Sequence, residues 1–440
     1  MPNRRLLVAS TLAVLLACTA EPRGVGGPDL DAQLVDLLNR ANVTPLAPPA
    51  IPSQAMVTLG QALMFDKELS GNRDISCATC HHPTLHSTDA IPLSIGQGAT
   101  GLGPARGMGG VFIPRHAPDL FNRGVPQWQN LFWDGRVAVA PGGFATEAGA
   151  ALPAGVASVL AAQAMFPVEN RDEMRGYTGN ELAALPDNDF TGVWNAIMVR
   201  LRAIPKYDTL FQAAFGQSVN AVGFEFAANA IAAFQTAAFN RLDTPYDHYV
   251  AGDRNALSDT EKRGAILFFG KANCGKCHLG PLLTDQKFHN VAVPQLGPGK
   301  PPEAPLDFGH ERVTGLAADR FAYRTPPLRN VALTAPYFHD GAFATLEGAV
   351  RHYINVTRSL QTYDSLQLPP LLQNSVASSD PTVQAQMLAT LDPIVADTLV
   401  LSDQEVSEIV AFLQALTDPS AQDLSGEIPA TVPSGLPVGD

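Results

Sequence analysis

Apolar residues recur at helical spacing along much of this chain, and few segments alternate with the two-residue period of a strand. In one segment Phe224, Ala228, Ile231, Phe234 and Ala238 fall on a single helical face. Similar spacing begins near residues 30, 59, 159, 194, 259, 346 and 403. The pattern therefore predicts a mainly α-helical protein.

Local signals mark where several of these helices begin. Ser258 with Glu261 and Ser402 with Glu405 form capping boxes, in which the side chains satisfy free backbone amides at the start of a helix. Thr345 is a further candidate cap. Three segments rich in glycine or proline are predicted to be loops instead: 95–110, 137–157 and 292–305.

Length and composition fit a folded protein with two main domains. The chain has 440 residues, of which 46% are hydrophobic and 16% are charged, enough for a sizeable core. The expected division is an export signal at 1–17, an N-terminal extension with a proline-rich linker at 18–55, a first domain at 56–219, a second domain at 220–417 and a flexible tail at 418–440.

The N-terminus has the order of an export signal. Arg4 and Arg5 precede an apolar run from Leu6 to Ala17, and Cys18 follows. This resembles a bacterial lipoprotein signal, with Cys18 as the lipid-bearing residue; the alternative is an ordinary signal peptide with an incidental cysteine. An unmodified exported thiol would be reactive, which favours the lipoprotein. We therefore expect a periplasmic protein attached to the membrane through lipid alone.

Charge narrows the class of partner. The net charge is −13, which argues against nucleic acid and suits a basic protein partner such as a small cytochrome.

Two short motifs carry the candidate chemistry. Cys77 and Cys80 precede His81, and Cys274 and Cys277 precede His278, so both read CxxCH. This spacing is the attachment signature of haem c: two thiols bind one porphyrin, and the adjacent histidine faces the iron. One such motif could be half of a zinc site or a redox dithiol. Two of them, with no further cysteine nearby, indicate two covalent haems.

Further segments between Leu59 and Leu416 extend the pattern around these motifs. They read LGQALMFD, SIGQG, FWDGR, TPYDHYVAGD and LRNVALTAPYFHDG, in that order. Together with the CxxCH motifs they resemble the bacterial di-haem cytochrome c peroxidases and their relative MauG. The resemblance implies two c-type cytochrome domains with one covalent haem each, packed around an inter-haem interface.

The resemblance also implies the state of the first haem. The peroxidases usually have a distal histidine sixteen residues after the CxxCH histidine, and this chain has Gln97 there. An amide is a poor haem ligand, so the first haem is expected to be open on its far side, as in MauG. The other candidates for that ligand are Met108, His82 and His86.

For the second haem the resemblance implies Tyr353 as the ligand opposite His278. A phenolate is a hard anionic donor, which favours oxidised iron. Periodicity alone would make Tyr353 a core residue beside Leu346 and Val350. His352 is the rival ligand.

Four further site residues are implied by the resemblance. Trp133 matches the tryptophan between the two haems, with Trp128 as a weaker rival. Glu173 matches the distal carboxylate, which could move a proton between the two peroxide oxygens; Glu169 and Asp172 are its alternatives. Gln163 and Pro167 match the rest of the distal pocket, where a structural role is the alternative for both.

A calcium ion between the domains is a further expectation. Thr334 and Pro336 match its two backbone-carbonyl ligands, but His116 replaces the amide side chain, and calcium prefers oxygen. Arg136 and Arg329 are candidates to pair with haem propionates, with ordinary surface charge as the alternative.

The implied activity is reduction of hydrogen peroxide at the His81 haem. Electrons would pass through Trp133 from the haem held by His278 and Tyr353. The donor would be a cytochrome or copper protein in a peroxidase, or a residue of a protein substrate in a MauG-like enzyme. The alternative is a non-enzymatic di-haem electron carrier, in which both irons would have six ligands.

Overall fold

The computed structural model describes residues 29–107 and 109–439. Its helices are α1 Leu30–Arg40, α2 Gln54–Phe65, α3 Cys77–Cys80, α4 Val159–Ala164, α5 Phe190–Arg202, α6 Pro205–Phe215, α7 Phe224–Ala238, α8 Pro245–Ala251, α9 Asp259–Phe269, α10 Glu311–Thr314, α11 Leu346–His352, α12 Val356–Gln361, α13 Pro381–Ala389 and α14 Asp403–Gln414. Two small antiparallel sheets contain β1 Asn130–Leu131, β2 Val137–Ala140 and β3 Gly143–Ala145, and β4 Phe288–His289 and β5 Tyr323–Arg324. The fold is mainly α, as the hydrophobic pattern predicts.

Some predictions concern residues outside the described part of the chain. The export signal at 1–17, the lipid-bearing Cys18 and the candidate ligand Met108 lie there. Within the described residues, no helix is both long enough and apolar enough to cross a bilayer.

The first domain is built around α2 and α7, which cross at close range. Leu59 and Leu63 of α2 and Phe234 of α7 are fully buried in one core. Gly60 permits the close crossing, because a Cβ atom there would lie 1.9 Å from the carbonyl oxygen of Ala230. Helices α4, α5 and α6 pack around this pair.

The second domain repeats this arrangement with α9 and α14. Ser258 and Ser402 form the predicted capping boxes at their N-termini. A Cβ atom at Gly264 of α9 would lie 1.9 Å from the carbonyl oxygen of Glu408 in α14. In each domain, therefore, the helix that precedes the CxxCH motif packs closely against a later helix.

The boundary between the domains lies later than residue 220. Helix α7 (Phe224–Ala238) belongs to the first core, where Ala227 and Ile231 pack with α2. Thr244 caps α8, which joins the second core through Tyr246. The packing therefore divides the chain between α7 and α8. Periodicity identified the apolar face of α7, but it carries no information about which core that face joins.

Both ends of the described part of the chain pack against a domain. Asp31 of α1 forms an ion pair with Lys262 of α9 at 2.8 Å, so helix α1 lies on the second domain. At the other end Leu424 is buried in the first core, and the Ser434 hydroxyl donates to Asp66 at 2.6 Å. The expectation of a flexible tail at 418–440 is therefore corrected over its described part. Its few apolar residues show no periodicity, so they could not be recognised as core residues.

The segment 137–157 also differs from the predicted loop. Strands β2 and β3 form a hairpin, with Val139 opposite Phe144, and β1 adds to its edge. The turn at Gly142 has φ +82°, a conformation that glycine adopts without strain. The hairpin follows directly on the FWDGR segment that carries Trp133.

Candidate functional site

The first CxxCH motif forms a single helical turn, α3. The Thr79 hydroxyl accepts a hydrogen bond from the Ser76 amide at 3.0 Å and so fixes the start of the turn. Nδ1 of His81 lies 3.1 Å from the carbonyl oxygen of Ser87. Nδ1 donates its proton to that carbonyl oxygen, so Nε2 carries an unprotonated lone pair. Burial lowers the pKa of His81, which keeps the ring neutral and able to bind a metal.

The second motif repeats this geometry. Nδ1 of His278 lies 3.0 Å from the carbonyl oxygen of Leu283, and burial lowers the pKa of His278 to about 4. The carbonyl partner again leaves Nε2 as the metal-binding atom. In both CxxCH motifs, therefore, the imidazole has the same tautomer and lies beside two cysteines.

Each motif opens onto a large cavity. The first contains about 1200 Å³ of empty space and the second about 1550 Å³, both including a part open to solvent. Burial raises the pKa of Cys77 and of Cys274 to about 12, so the walls present neutral thiols beside a neutral imidazole. This donor set fits covalent haem, in which both sulfurs become uncharged thioethers.

The first cavity also receives side chains from α4 and from the segment that follows it. Gln163, Pro167 and Glu173 line the same cavity as His81. Among the described residues, none makes a hydrogen bond to the side-chain amide of Gln163, so this amide can bind a ligand in the cavity. The structure thus brings together the three distal residues that the sequence pattern singled out.

Glu173 lies in one π-helical turn, Arg171–Arg175, a distortion that is frequent at functional sites. Its carboxylate accepts a hydrogen bond from the Asn170 side chain at 3.0 Å. Burial raises the pKa of Glu173, and the nearby cations Arg136 and Lys300 act in the opposite direction. Burial thus favours the protonated carboxyl group and the two cations favour the ionised one, and these are the two states that a proton-transfer group must adopt.

The rivals of Glu173 face elsewhere. Glu169 is outside the cavity wall, and neither of its buried carboxylate oxygens has a hydrogen-bond partner among the described residues. Asp172 accepts a hydrogen bond from the Tyr177 hydroxyl at the surface. Neither carboxylate can touch a molecule bound in the first cavity.

The candidate distal ligands are also outside the wall of the first cavity. Gln97 is buried, where its oxygen accepts from Asn72 at 2.8 Å and its nitrogen donates to the carbonyl oxygen of Met174. His82 and His86 do not line the cavity either. Among the described candidates, therefore, none is placed to bind the iron opposite His81.

The second cavity is lined by both His278 and Tyr353. Tyr353 follows the last residue of α11, and burial raises the pKa of its hydroxyl. No described residue makes a hydrogen bond to that hydroxyl. The rival His352 has both ring nitrogens engaged, Nδ1 with the Ser359 hydroxyl at 2.9 Å and Nε2 with the carbonyl oxygen of Val291 at 2.7 Å. His352 is therefore not available as a ligand.

Trp133 lies in the wall of both cavities. Its indole nitrogen donates to the carbonyl oxygen of His116 at 2.9 Å, and its own carbonyl accepts from the amide of Arg324 at 2.8 Å. The rival Trp128 lies in the core of the first domain, where it donates to the carbonyl oxygen of Asn122, and it lines neither cavity. Of these two tryptophans, therefore, Trp133 is the one that borders both cavities.

His116 does not supply an oxygen ligand at the expected calcium site. Nδ1 of His116 lies 2.8 Å from the carbonyl oxygen of Ile91, which already occupies this nitrogen. The Thr334 hydroxyl donates to the carbonyl oxygen of Val331, and Pro336 is buried. Within the described chain, no cluster of three metal-binding side chains includes His116. Calcium prefers oxygen ligands, so the imidazole of His116 is an unsuitable donor, and the calcium site at the carbonyl oxygens of Thr334 and Pro336 stays a prediction.

Other cations at the cavities differ from the sequence-based candidates. Arg136 lines the first cavity, but Arg329 lines neither cavity and instead pairs with Asp247 at 2.6 Å. Lys300 lines the first cavity, and Arg324 lines both. Sequence reasoning missed these two because each comes from the second domain, and only the tertiary packing brings it to the first cavity.

Comparison with known proteins agrees with this geometry. The family described as di-haem cytochrome c peroxidase matches residues 54–255. The chain is 34% identical over 314 residues to the methylamine utilization protein MauG of Methylorubrum extorquens, which covers 70% of this chain and 71% of that protein. It is 30% identical over 341 residues to the cytochrome c551 peroxidase of Pseudomonas aeruginosa, with 76% and 82% coverage. The chain belongs to the di-haem cytochrome c peroxidase family, a class of haem c oxidoreductases.

Solved structures extend the comparison to nearly the whole fold. A MauG-like protein associated with microbial copper homeostasis superposes with a TM-score of 0.60 at 29% identity, over 86% of this chain and 95% of that one. The diheme peroxidase BthA of Burkholderia thailandensis gives a TM-score of 0.57 at 22% identity, over 88% and 91%. The mainly α, two-domain di-haem fold is therefore confirmed.

Proposed function

We propose that this protein reduces hydrogen peroxide in the cavity of His81 and draws the electrons through Trp133 from the cavity of His278. One observation carries the proposal: Trp133 lies in the wall of both cavities, so a single indole is in reach of both redox sites. The haems, when bound, supply the iron that accepts electrons and cleaves the oxygen–oxygen bond. The reaction consumes one peroxide, two protons and two electrons and yields two waters.

The side chains of the first cavity handle the protons and the orientation of the substrate. The carboxylate of Glu173 takes a proton from one peroxide oxygen and returns it to the other, which leaves as water. The free amide of Gln163 orients the bound peroxide through a hydrogen bond. Pro167 keeps that part of the wall rigid, since its ring fixes the backbone.

The electrons come from outside the protein. Its net charge of −13 favours a basic donor such as a small cytochrome, and a copper protein or a protein substrate are the other donor classes. We place the enzyme in the periplasm, lipid-anchored through Cys18, because haem attachment and the N-terminal signal both suit an exported protein.

The spin state of the oxidised protein tests this function. Because no described candidate ligand lines the first cavity opposite His81, we expect the electron paramagnetic resonance spectrum to contain one high-spin ferric signal. Hydrogen peroxide should alter that signal. Two low-spin haems that peroxide leaves unchanged would contradict the proposal and support a passive electron carrier.

A MauG-like donor, a residue on a protein substrate, is the second candidate. Tyr353 in the wall of the second cavity favours it, because a phenolate ligand stabilises oxidised iron. The 34% identity to MauG is consistent with this candidate without identifying the substrate.

Tyr353→Phe tests the ligand itself. Loss of the hydroxyl should remove the sixth ligand of the second haem and change its absorption and magnetic spectra, with the first haem unaffected. Tyr337→Phe is the matched control, since Tyr337 lines the same cavity and should leave both spectra as in the wild type. An unaltered second haem in Tyr353→Phe would exclude Tyr353 as the ligand.

A further inference from the structure

A loop of the second domain reaches into the first cavity. The loop at 297–307 folds back on itself, with the Lys300 amide donating to the carbonyl oxygen of Leu306 at 2.9 Å. It also lies directly on the first domain: a Cβ atom at Gly297 would lie 2.1 Å from Cδ1 of Leu93. At its end Asp307 binds the buried guanidinium of Arg115 at 2.6 Å. Lys300 is thus held at the first cavity by a docked loop.

Within the described part of the chain, Asp134 and Asp307 attract the ammonium group of Lys300, but neither lies within ion-pair distance of it. No described residue makes an ion pair or hydrogen bond with it, whereas two neighbouring cations are neutralised. Arg115 pairs with Asp134 and Arg136 pairs with Glu147, at 2.6 and 2.7 Å. Burial, with Arg115 and Arg136 adding to it, lowers the pKa of Lys300 to about 8.

An anion is therefore expected beside Lys300. Lys300 is partly buried, and a cation withdrawn from water is normally paired with an anion. Glu173 is the carboxylate of this cavity, but it lies beyond ion-pair distance and is held by Asn170 instead. The haem that family membership implies brings two propionates, which are the anions that enter this cavity.

We propose that Lys300 binds a propionate of the haem attached to Cys77 and Cys80, and so acts as a positioning residue that couples the second domain to the reduction potential of the first haem. The proposal depends on haem in the first cavity but not on peroxide turnover. It can therefore fail while the proposed function stands, and the proposed function can fail while Lys300 still binds the propionate.

The expected effect has a definite sign. Reduction adds one negative charge to the haem, and a nearby cation stabilises the reduced state more than the oxidised state. Loss of the cation should lower the midpoint potential of the first haem. We expect about a tenfold change in the equilibrium constant for reduction, which equals ~59 mV for one electron.

A potentiometric titration of the holoprotein measures this effect. Lys300→Met should lower the potential of the first haem and leave the second unchanged, whereas Lys300→Arg keeps the charge and should stay close to the wild type. Lys206→Met, at an exposed lysine of α6, controls for the loss of one net charge and should shift neither haem. An unchanged first potential in Lys300→Met would overturn the proposal.

A second measurement covers the case in which Lys300→Met loads haem poorly. Lys300→Arg changes the geometry of the ion pair without removing it, so its resonance Raman spectrum should show shifted propionate bending modes. Identical modes in Lys300→Arg and the wild type would overturn the proposal. So would a change of spin state at the first haem in either variant, because that would mean the amine binds the iron itself.

Discussion

Replacing Glu173 with glutamine should lower peroxide turnover about 10²–10⁴-fold, the usual contribution of a positioned general acid–base group. The amide keeps the size of the side chain and its hydrogen bond to Asn170 at the remaining oxygen, but it cannot accept and return a proton. Both haems should still attach, since Glu173 touches neither motif histidine. Stopped-flow mixing of the oxidised variant with peroxide measures the rate directly.

Glu169→Gln is the matched control for this experiment. Burial raises the pKa of Glu169 to about 8, so its carboxyl group is mostly protonated at pH 7 and an amide imitates it closely. Glu169 also lies outside the cavity wall. Its variant should turn over peroxide at close to the wild-type rate. An equal loss of activity in both variants would show that Glu173 is not the group that transfers the proton.

The sequence predicts those parts of the site that depend only on residues close together in the chain. A CxxCH motif fixes two sulfurs and an imidazole within five consecutive residues, so both haem sites follow from spacing alone. The capping boxes at Ser258 and Ser402 are equally local, and the structure contains both. The positions of Trp133, Glu173 and Tyr353 required a family register, because nothing local distinguishes them from core or surface residues.

The parts that the sequence does not predict depend on contacts between distant segments. Helix α7 has an apolar face, but whether that face joins the first or the second core is decided by the fit of Gly60 against Ala230. Lys300 lies in a proline-rich loop with no signal of its own. Lys300 becomes part of the first site because Asp307, seven residues later, forms an ion pair with Arg115 across the domain interface.

The same interface carries the largest expected effect on stability. Arg115 is 6% exposed and pairs with Asp134 of the first domain and Asp307 of the second, each at 2.6 Å. Arg115→Met leaves the buried Asp307 without its ion-pair partner and Asp134 with Arg136 alone, at 3.1 Å, which should cost about 3–5 kcal/mol of unfolding free energy at pH 7. Arg40→Met breaks an ion pair whose side chains are 67% and 65% exposed, and should cost only about 0.3–0.5 kcal/mol.

The pH dependence of this loss gives a sharper test than its size. Burial alone would raise the pKa values of Asp134 and Asp307. Arg115 outweighs this effect and holds both pKa values well below their usual range. Lowered folded-state pKa values give stability that is present above the unfolded value of about 3.9 and is lost as the pH falls further.

In Arg115→Met the sign reverses at Asp307, because burial without that cation raises its carboxyl pKa above that of the unfolded chain, while Asp134 keeps its ion pair with Arg136 at 3.1 Å. Protonation then stabilises the folded variant, so the gap between variant and wild type should narrow as the pH falls from 7 towards 4.5. Urea unfolding followed by circular dichroism at both pH values measures the gap. A gap that stays constant would show that Arg115 stabilises the interface by packing alone, and that its charge does not hold the two domains together.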